Sequence, residues 1–308
     1  MTHSVHLDNI KLQVEFYNSN DQHRVASEVI DALLSTYSYL HIKYNTNNIT
    51  SGMLTHTIYT GGSKILEIKS GNYFIKSNRD NTKIPIYYIS IEIAGLKQYN
   101  NNDKIANDCL IRTVAYFNTY NISFSYTGID IAVDMQCPFI NTYAFCNMKS
   151  ASKRNYYKVN DLQPYLTTHY IEKYNNTHHS VMKRSYLYDK SFKSGNTTHC
   201  LTRFELKLQS KLFSRYPFKS AMLQEQLNKY HILYFPTLQE KDAALSLYAQ
   251  HEDTIRRRDL HKLGLDKYRI VPDTSEIESF LIELYNVYEH DLDLPIMEVG
   301  NGFDFEDL

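Results

Sequence analysis

The sequence predicts an α+β chain: a central antiparallel sheet with helices over one face, followed by a helical C-terminal region. Three observations predict it. Several short segments alternate apolar and polar residues with a period of two, as half-buried strands do. Other stretches repeat apolar residues at three- and four-residue spacing, the stripe of an amphipathic helix. Glycine-containing turn signals separate successive strands closely enough for antiparallel pairing. At 308 residues the chain has room for one large domain or two modest ones. The expected division is an α+β part over residues 1–210 and a helical part with an acidic tail over residues 211–308.

Taken in order, KLQVEFYN (Lys11 to Asn18) alternates Leu12, Val14 and Phe16 with polar residues and predicts a strand. Val25, Val29, Leu33, Tyr37 and Leu40 then mark one face of a helix. Turn signals at Gly61-Gly62 and Gly71-Asn72 divide THTIYT, SKILEIKS and YFIKS into an expected meander. IPIYYISIEIAG (Ile84 to Gly95) sets Ile89, Ile91 and Ile93 against Ser90 and Glu92. After an Asn-rich loop, Asp103 is placed to cap a helix carrying Ile105, Cys109, Val114 and Phe117. GIDIAVD (Gly128 to Asp134) is a strand with Asp130 and Asp134 on its polar side. Two more strands follow: one has Tyr186, Tyr188 and Lys190 opposite Leu187, the other has Arg203, Glu205 and Lys207 opposite Phe204, Leu206 and Leu208. Helical patterns near Ser220 to Tyr230, Leu238 to Leu263 and Ser275 to Glu289 complete the chain.

A formal net charge of −1 gives no overall electrostatic bias toward nucleic acid. The charge is nevertheless lopsided. From Lys149 to Lys219 fourteen Lys and Arg stand against four acidic residues, a net +10, whereas from Asp273 onward eleven acidic residues occur with no Lys or Arg. The four cysteines show no C-x-x-C spacing, which fits a reducing cytoplasm. No basic-then-apolar leader and no apolar run of roughly 20 residues occurs, so no membrane partner is expected.

The polar strand faces carry Glu92, Asp130 with Asp134, Tyr188 with Lys190, and Arg203 with Glu205. An ordinary half-wet sheet also alternates this way. Paired in one sheet, however, these groups converge, and neighbouring carboxylates suit Mg²⁺ or Mn²⁺, hard ions that prefer oxygen ligands. Such an ion neutralises the non-bridging oxygens of a phosphodiester and favours ionisation of a hydroxyl nucleophile. Tyrosine needs that help, its unperturbed pKa being about 10.

In this order, ISIEIAG, TGIDIAVD, YLYDK and TRFELKL resemble the blocks of the Rep-trans family of rolling-circle replication initiators of plasmids and filamentous phages, with relatives among relaxases. The resemblance covers Ile84 to Leu208. It implies a DNA-nicking enzyme whose Y-x-K tyrosine attacks an origin strand, forming a 5′-phosphotyrosine and freeing a 3′-hydroxyl for a polymerase. Carried over residue by residue, the nucleophile is Tyr188 and the metal carboxylates are Glu92, Asp130 and Glu205. Catalysis is expected to rest on Tyr188 and Lys190, with Arg184, Lys190, Arg203 and Lys207 placed to steady phosphates. Three positions depart from the pattern: Gly128 stands where the family has Arg, Ala94 where it has a small hydroxyl residue, and Lys193 near a usual Glu. The expected partners are an origin with a hairpin and a single-stranded nick site, a host helicase or polymerase, and a second copy in a homodimer. The alternatives are a non-catalytic origin-binding protein on the same scaffold and a metal-dependent nuclease that uses water. His178-His179 reads as a surface loop, and Arg256-Arg257-Arg258 as a helix face open to phosphates or solvent.

Overall fold

The computed structural model of the protein describes residues 1–38, 40–45, 54–60, 62–77, 81–96, 102–146, 156–158, 168–171, 182–195, 200–209, 212–213, 221–251, 261 and 263–286. The strands are, in chain order, β1 (His3–Phe16), β2 (His41–Asn45), β3 (Leu54–Thr60), β4 (Ser63–Lys76), β5 (Lys83–Ala94), β6 (Ser125–Met135), β7 (Thr142–Cys146), β8 (Tyr156–Lys158), β9 (Thr168–Tyr170), β10 (Met182–Asp189), β11 (Thr202–Gln209), β12 (Tyr230–Tyr234) and β13 (Arg269–Ile270). Ten of them form one antiparallel sheet in the order β2-β3-β4-β5-β1-β6-β11-β10-β9-β8, and β13-β12-β7 form a second, smaller sheet. With the helices below, this is the expected α+β architecture. Among the described residues no helix is long and apolar enough to cross a membrane.

Every alternating segment read from the sequence lies in a strand of the large sheet, with one change of neighbours. The fourteen-residue β1 lies between β5 and β6, so the two strands bearing Glu92 and Asp130 are not adjacent. The expected strand at Lys11 to Asn18 is only the second half of β1. Apolar alternation slips between Leu7 and Ile10, and the structure has a β-bulge there: Leu7 faces Ile131 and Asn9 faces Asp130, with Asp8 as the extra residue. A second correction concerns Gly71-Asn72, which is no turn, since β4 runs straight through it. Gly71 faces Tyr88 on β5, and a Cβ there would stand 2.7 Å from the Tyr88 hydroxyl. Here glycine serves a close approach.

Helices α1 (Ser19–Thr36) and α2 (Asn102–Thr119) cover the apolar face of β1, β4 and β5. Asn18 caps α1 by accepting from the Asp21 N–H at 2.8 Å. The buried Gln22 of α1 donates to the Gly71 and Tyr88 carbonyls, both at 2.7 Å, fastening the helix to the sheet. Helix α2 begins at Asn102, so Asp103 lies within its first turn.

The region beyond residue 210 contributes strands as well as helices α4 (Met222–Leu227), α5 (Leu238–His251) and α6 (Ser275–Asn286). The expected helix at Ser220 to Tyr230 thus stops early, and Tyr230 opens β12, which pairs with β7. Met222, Leu223, Leu227, Ile277 and Leu281 share one core with Ile10, Ile131 and Leu206 of the large sheet. Glu278 of α6 ties the region together by accepting from the Ala221, Leu223 and Gln224 N–H groups at 2.6, 2.7 and 2.9 Å, at the start of α4. His178-His179, Arg256-Arg257-Arg258 and the acidic stretch from residue 287 onward lie outside the described residues.

Two buried histidines lie against aromatic rings of the small sheet. The His169 ring on β9 lies 5.0 Å from Tyr143, and His231 on β12 lies 5.0 Å from Phe145. Burial, reinforced by Lys241, pushes His169 down to about 4. A depressed histidine leaves folding unaffected above its unfolded value near 6.5 and costs stability as pH falls from there toward 4. Lowering pH from 7 to 4.5 is therefore expected to lose about 2–3 kcal/mol through this group. Urea unfolding of His169→Leu at both pH values checks it, and an equal loss in wild type and variant would contradict it.

Candidate active site

Strand register builds the site. On the open face, Lys11 of β1 lies between Glu92 of β5 and Gly128 of β6. In successive rows Asp130 faces Asn9 and Lys207, Ala132 faces His6 and Glu205, and Asp134 faces Ser4 and Arg203. Beyond β11, Arg184, Tyr186 and Tyr188 of β10 face Lys207, Glu205 and Arg203.

At one end the guanidinium of Arg203 is fully engaged. Nε and Nη2 donate to the two oxygens of Asp134 at 2.7 and 2.9 Å, and Nη1 donates to Asp8 Oδ1 at 2.7 Å. His6 Nε2 lies 3.0 Å from Nη2 and must accept there, since a guanidinium only donates. The bulge makes this possible, and the Asp8 carbonyl pins it by accepting from the Gly95 and Leu96 N–H groups at 3.0 and 3.2 Å. Burial raises the Asp8 pKa above the ordinary carboxylate value despite Arg203. Arg203, expected to steady a phosphate, has a side chain only 1 % exposed and is engaged by two carboxylates.

In the middle, both tyrosines meet one carboxylate. Tyr186 donates to Glu205 Oε1 at 2.7 Å and Tyr188 to Oε2 at 3.2 Å, with ring centroids 5.7 Å apart. Lys207 lies between Asp130 and Glu205, 2.8 and 3.0 Å from their oxygens. Burial alone would raise Glu205, but the Lys207 ammonium and the Tyr186 hydrogen bond hold it below the usual value. Asp130 is pushed up to about 6 by burial, against the pull of Lys207. Burial and the Glu205 charge raise both tyrosines, so each is a phenol at rest.

Lys190 differs from its expected place on the strand face. β10 stops at Asp189, whose carboxylate caps α3 (Lys190–Ser194) by accepting from the Phe192 N–H at 2.9 Å. Lys190 opens that helix, and burial, then Arg203, lowers its pKa. The same turn brings the Lys193 ammonium to 4.6 Å from the centre of the Tyr188 ring. The side chain of Arg184 lies outside the described residues.

The expected ligand trio does not meet. β1 intervenes, and Glu92 is held by Asn9 Nδ2 at 2.8 Å and the Lys11 ammonium at 2.9 Å. Among the described residues no three His, Cys, Asp or Glu side chains are gathered as ready ligands. Asp130 and Glu205 do bracket a cation position, filled by the Lys207 ammonium, and Asn9 Oδ1 in the Asp130 row is buried without a hydrogen-bond partner. Oxygen donors of this kind suit a hard divalent ion once Lys207 moves aside.

Sequence reading missed Asp8, His6, Asn9 and Lys11. The slip in alternation between Leu7 and Ile10 was the available signal for the first three.

No protein-family model matches the sequence, and comparison with curated proteins finds no match. Among solved structures, the chain is similar to a rolling-circle replication initiator protein from Geobacillus stearothermophilus, with 12% identity and a TM-score of 0.38 over 76% of this chain and 87% of that one.

Proposed function

We propose that this chain nicks and rejoins one strand of DNA through a covalent tyrosine intermediate, starting rolling-circle replication. The observation that carries the proposal is the pair of tyrosine hydroxyls held on Glu205 within a Y-x-K and R-x-E framework. Tyr188 is the nucleophile. As its Oη bonds to phosphorus, its proton passes to Glu205 Oε2, already its hydrogen-bond acceptor. The P–O3′ bond breaks, and Lys190, whose lowered pKa makes it the readier donor, protonates the departing 3′-oxygen. The products are a 5′-phosphotyrosine and a 3′-hydroxyl, and rejoining reverses the step.

Mg²⁺ or Mn²⁺ would be held by Asp130 and Glu205, where it would supply neutralisation of phosphate charge. Lys207→Met leaves the two carboxylates without the ammonium between them. Its melting temperature is expected to fall by several degrees in metal-free buffer and to recover with Mn²⁺ more than that of wild type. A scanning-fluorimetry series checks this, and equal Mn²⁺ shifts in both proteins would contradict it.

One observation favours a second reading, a non-catalytic origin-binding protein: Tyr188 is only 3 % exposed, with Lys193 over its ring. Incubation with supercoiled plasmid carrying the origin from the gene's own replicon separates the two. Nicking with protein retained on the DNA in detergent supports the proposal, whereas a mobility shift without relaxation supports the binder.

A further inference from the structure

We infer that Lys11, laid across Gly128 and anchored by Glu92, grips a backbone phosphate of the DNA strand that flanks the tyrosine pair. The inference rests on the DNA reading above and deepens it. In register Lys11 stands between Glu92 on one side and Gly128 on the other. A Cβ at residue 128 would come within 3.1 Å of Lys11 Cδ and 3.3 Å of Cγ, so the missing side chain opens a slot in which the lysine stem lies against the sheet. The ammonium reaches Glu92 Oε2 at 2.9 Å, while Asn9 holds Glu92 Oε1 at 2.8 Å. One carboxylate is thus braced from two sides to aim one lysine.

Lys64 and Lys69, 36 % and 40 % exposed, share this side and both pair with Glu67, but two further cations are placed differently. Arg203 is buried on Asp134 and Asp8, and Lys207 is shared by two carboxylates. The Lys11 side chain is 41 % exposed. An ammonium has three donors, so Glu92 leaves it able to bind an anion as well. An ion pair this exposed adds little to stability, and a dedicated slot is better explained by a ligand. Counting strands and residues, Lys11 lies roughly 20 Å from Tyr186, several nucleotides from the reacting phosphate. Its contribution therefore belongs to binding, not to the bond-breaking step. Glu92 becomes a positioning residue for Lys11 and leaves the metal set.

The test measures binding of a fluorescent 30-nucleotide mixed-sequence single strand between 50 and 200 mM salt, with Lys11→Met, Gly128→Leu, Glu92→Gln and, as control on the helix-covered side, Arg112→Met. Lys11→Met is expected to weaken binding about five- to tenfold and to flatten the log-log salt slope by about 0.7, one phosphate's worth for single strands. Gly128→Leu, which forces the lysine stem off the sheet, should do the same with Lys11 still present. Glu92→Gln should weaken binding less and leave the Mn²⁺-induced melting shift unchanged. Arg112→Met should keep the wild-type slope. An unchanged slope in Lys11→Met, or a lost Mn²⁺ shift in Glu92→Gln, overturns the inference while the DNA reading stands. Wild-type protein that binds no strand overturns both.

Discussion

Replacing Tyr188 with Phe is expected to abolish strand cleavage and the covalent adduct, lowering the nicking rate by roughly 10⁴-fold or more, as removal of a nucleophile does. Binding should stay within a few-fold, because only one hydroxyl is lost and the ring keeps its place beneath Lys193. Nicking and mobility-shift assays on the same preparation separate the two quantities. Tyr186→Phe is the informative companion. Tyr186 makes the shorter bond to Glu205, 2.7 Å against 3.2 Å, but has no lysine two residues on, since position 188 is Tyr. It should retain activity within about tenfold. Full nicking by Tyr188→Phe would remove the proposed chemistry.

Arg203→Met should produce the largest loss of stability. The guanidinium is buried against Asp134 and Asp8, and its removal leaves the buried Asp134 and the half-buried Asp8 without their cation. Breaking one buried ion pair in this way costs about 3–5 kcal/mol. Asp8 is already raised by burial, and without the cation it should rise further. The deficit should therefore shrink as pH falls and Asp8 is protonated. Urea unfolding at pH 7.5 and pH 5 measures it. Arg203→Lys should fall between, keeping the charge but losing the two-pronged contact with Asp134. A change under about 1 kcal/mol with weaker DNA binding would restore the surface role that the alternation alone implied.

That difference between the expected and observed Arg203 shows what a sequence reveals of such a site. Alternation correctly assigned Arg203, Glu205, Tyr186 and Tyr188 to one side of the sheet, because a period of two is a local property. It carries no information on what covers that side. The cover comes from the β1 bulge at Asp8 and from α3, which brings Lys193 over Tyr188. Strand order is not local either. β1, first in the chain, lies between β5 and β6, and this separates Glu92 from Asp130. Lys190 was misplaced for a third reason: Asp189 ends the strand by capping a helix, which overrides the alternation one residue beyond Tyr188. Gly71 was read as a turn because glycine marks turns and close approaches alike, and only the facing Tyr88 tells them apart.

The central claim is that a phenolic oxygen of this chain takes the 5′-phosphate of a cut strand. The most direct measurement is mass spectrometry of peptides from wild-type protein trapped on a cleaved origin oligonucleotide. The account predicts one nucleotide-bearing peptide, with the modification on Tyr188 and the phosphate on the 5′ side of the break. Cleavage without any covalent peptide, or an adduct confined to another residue, would contradict it.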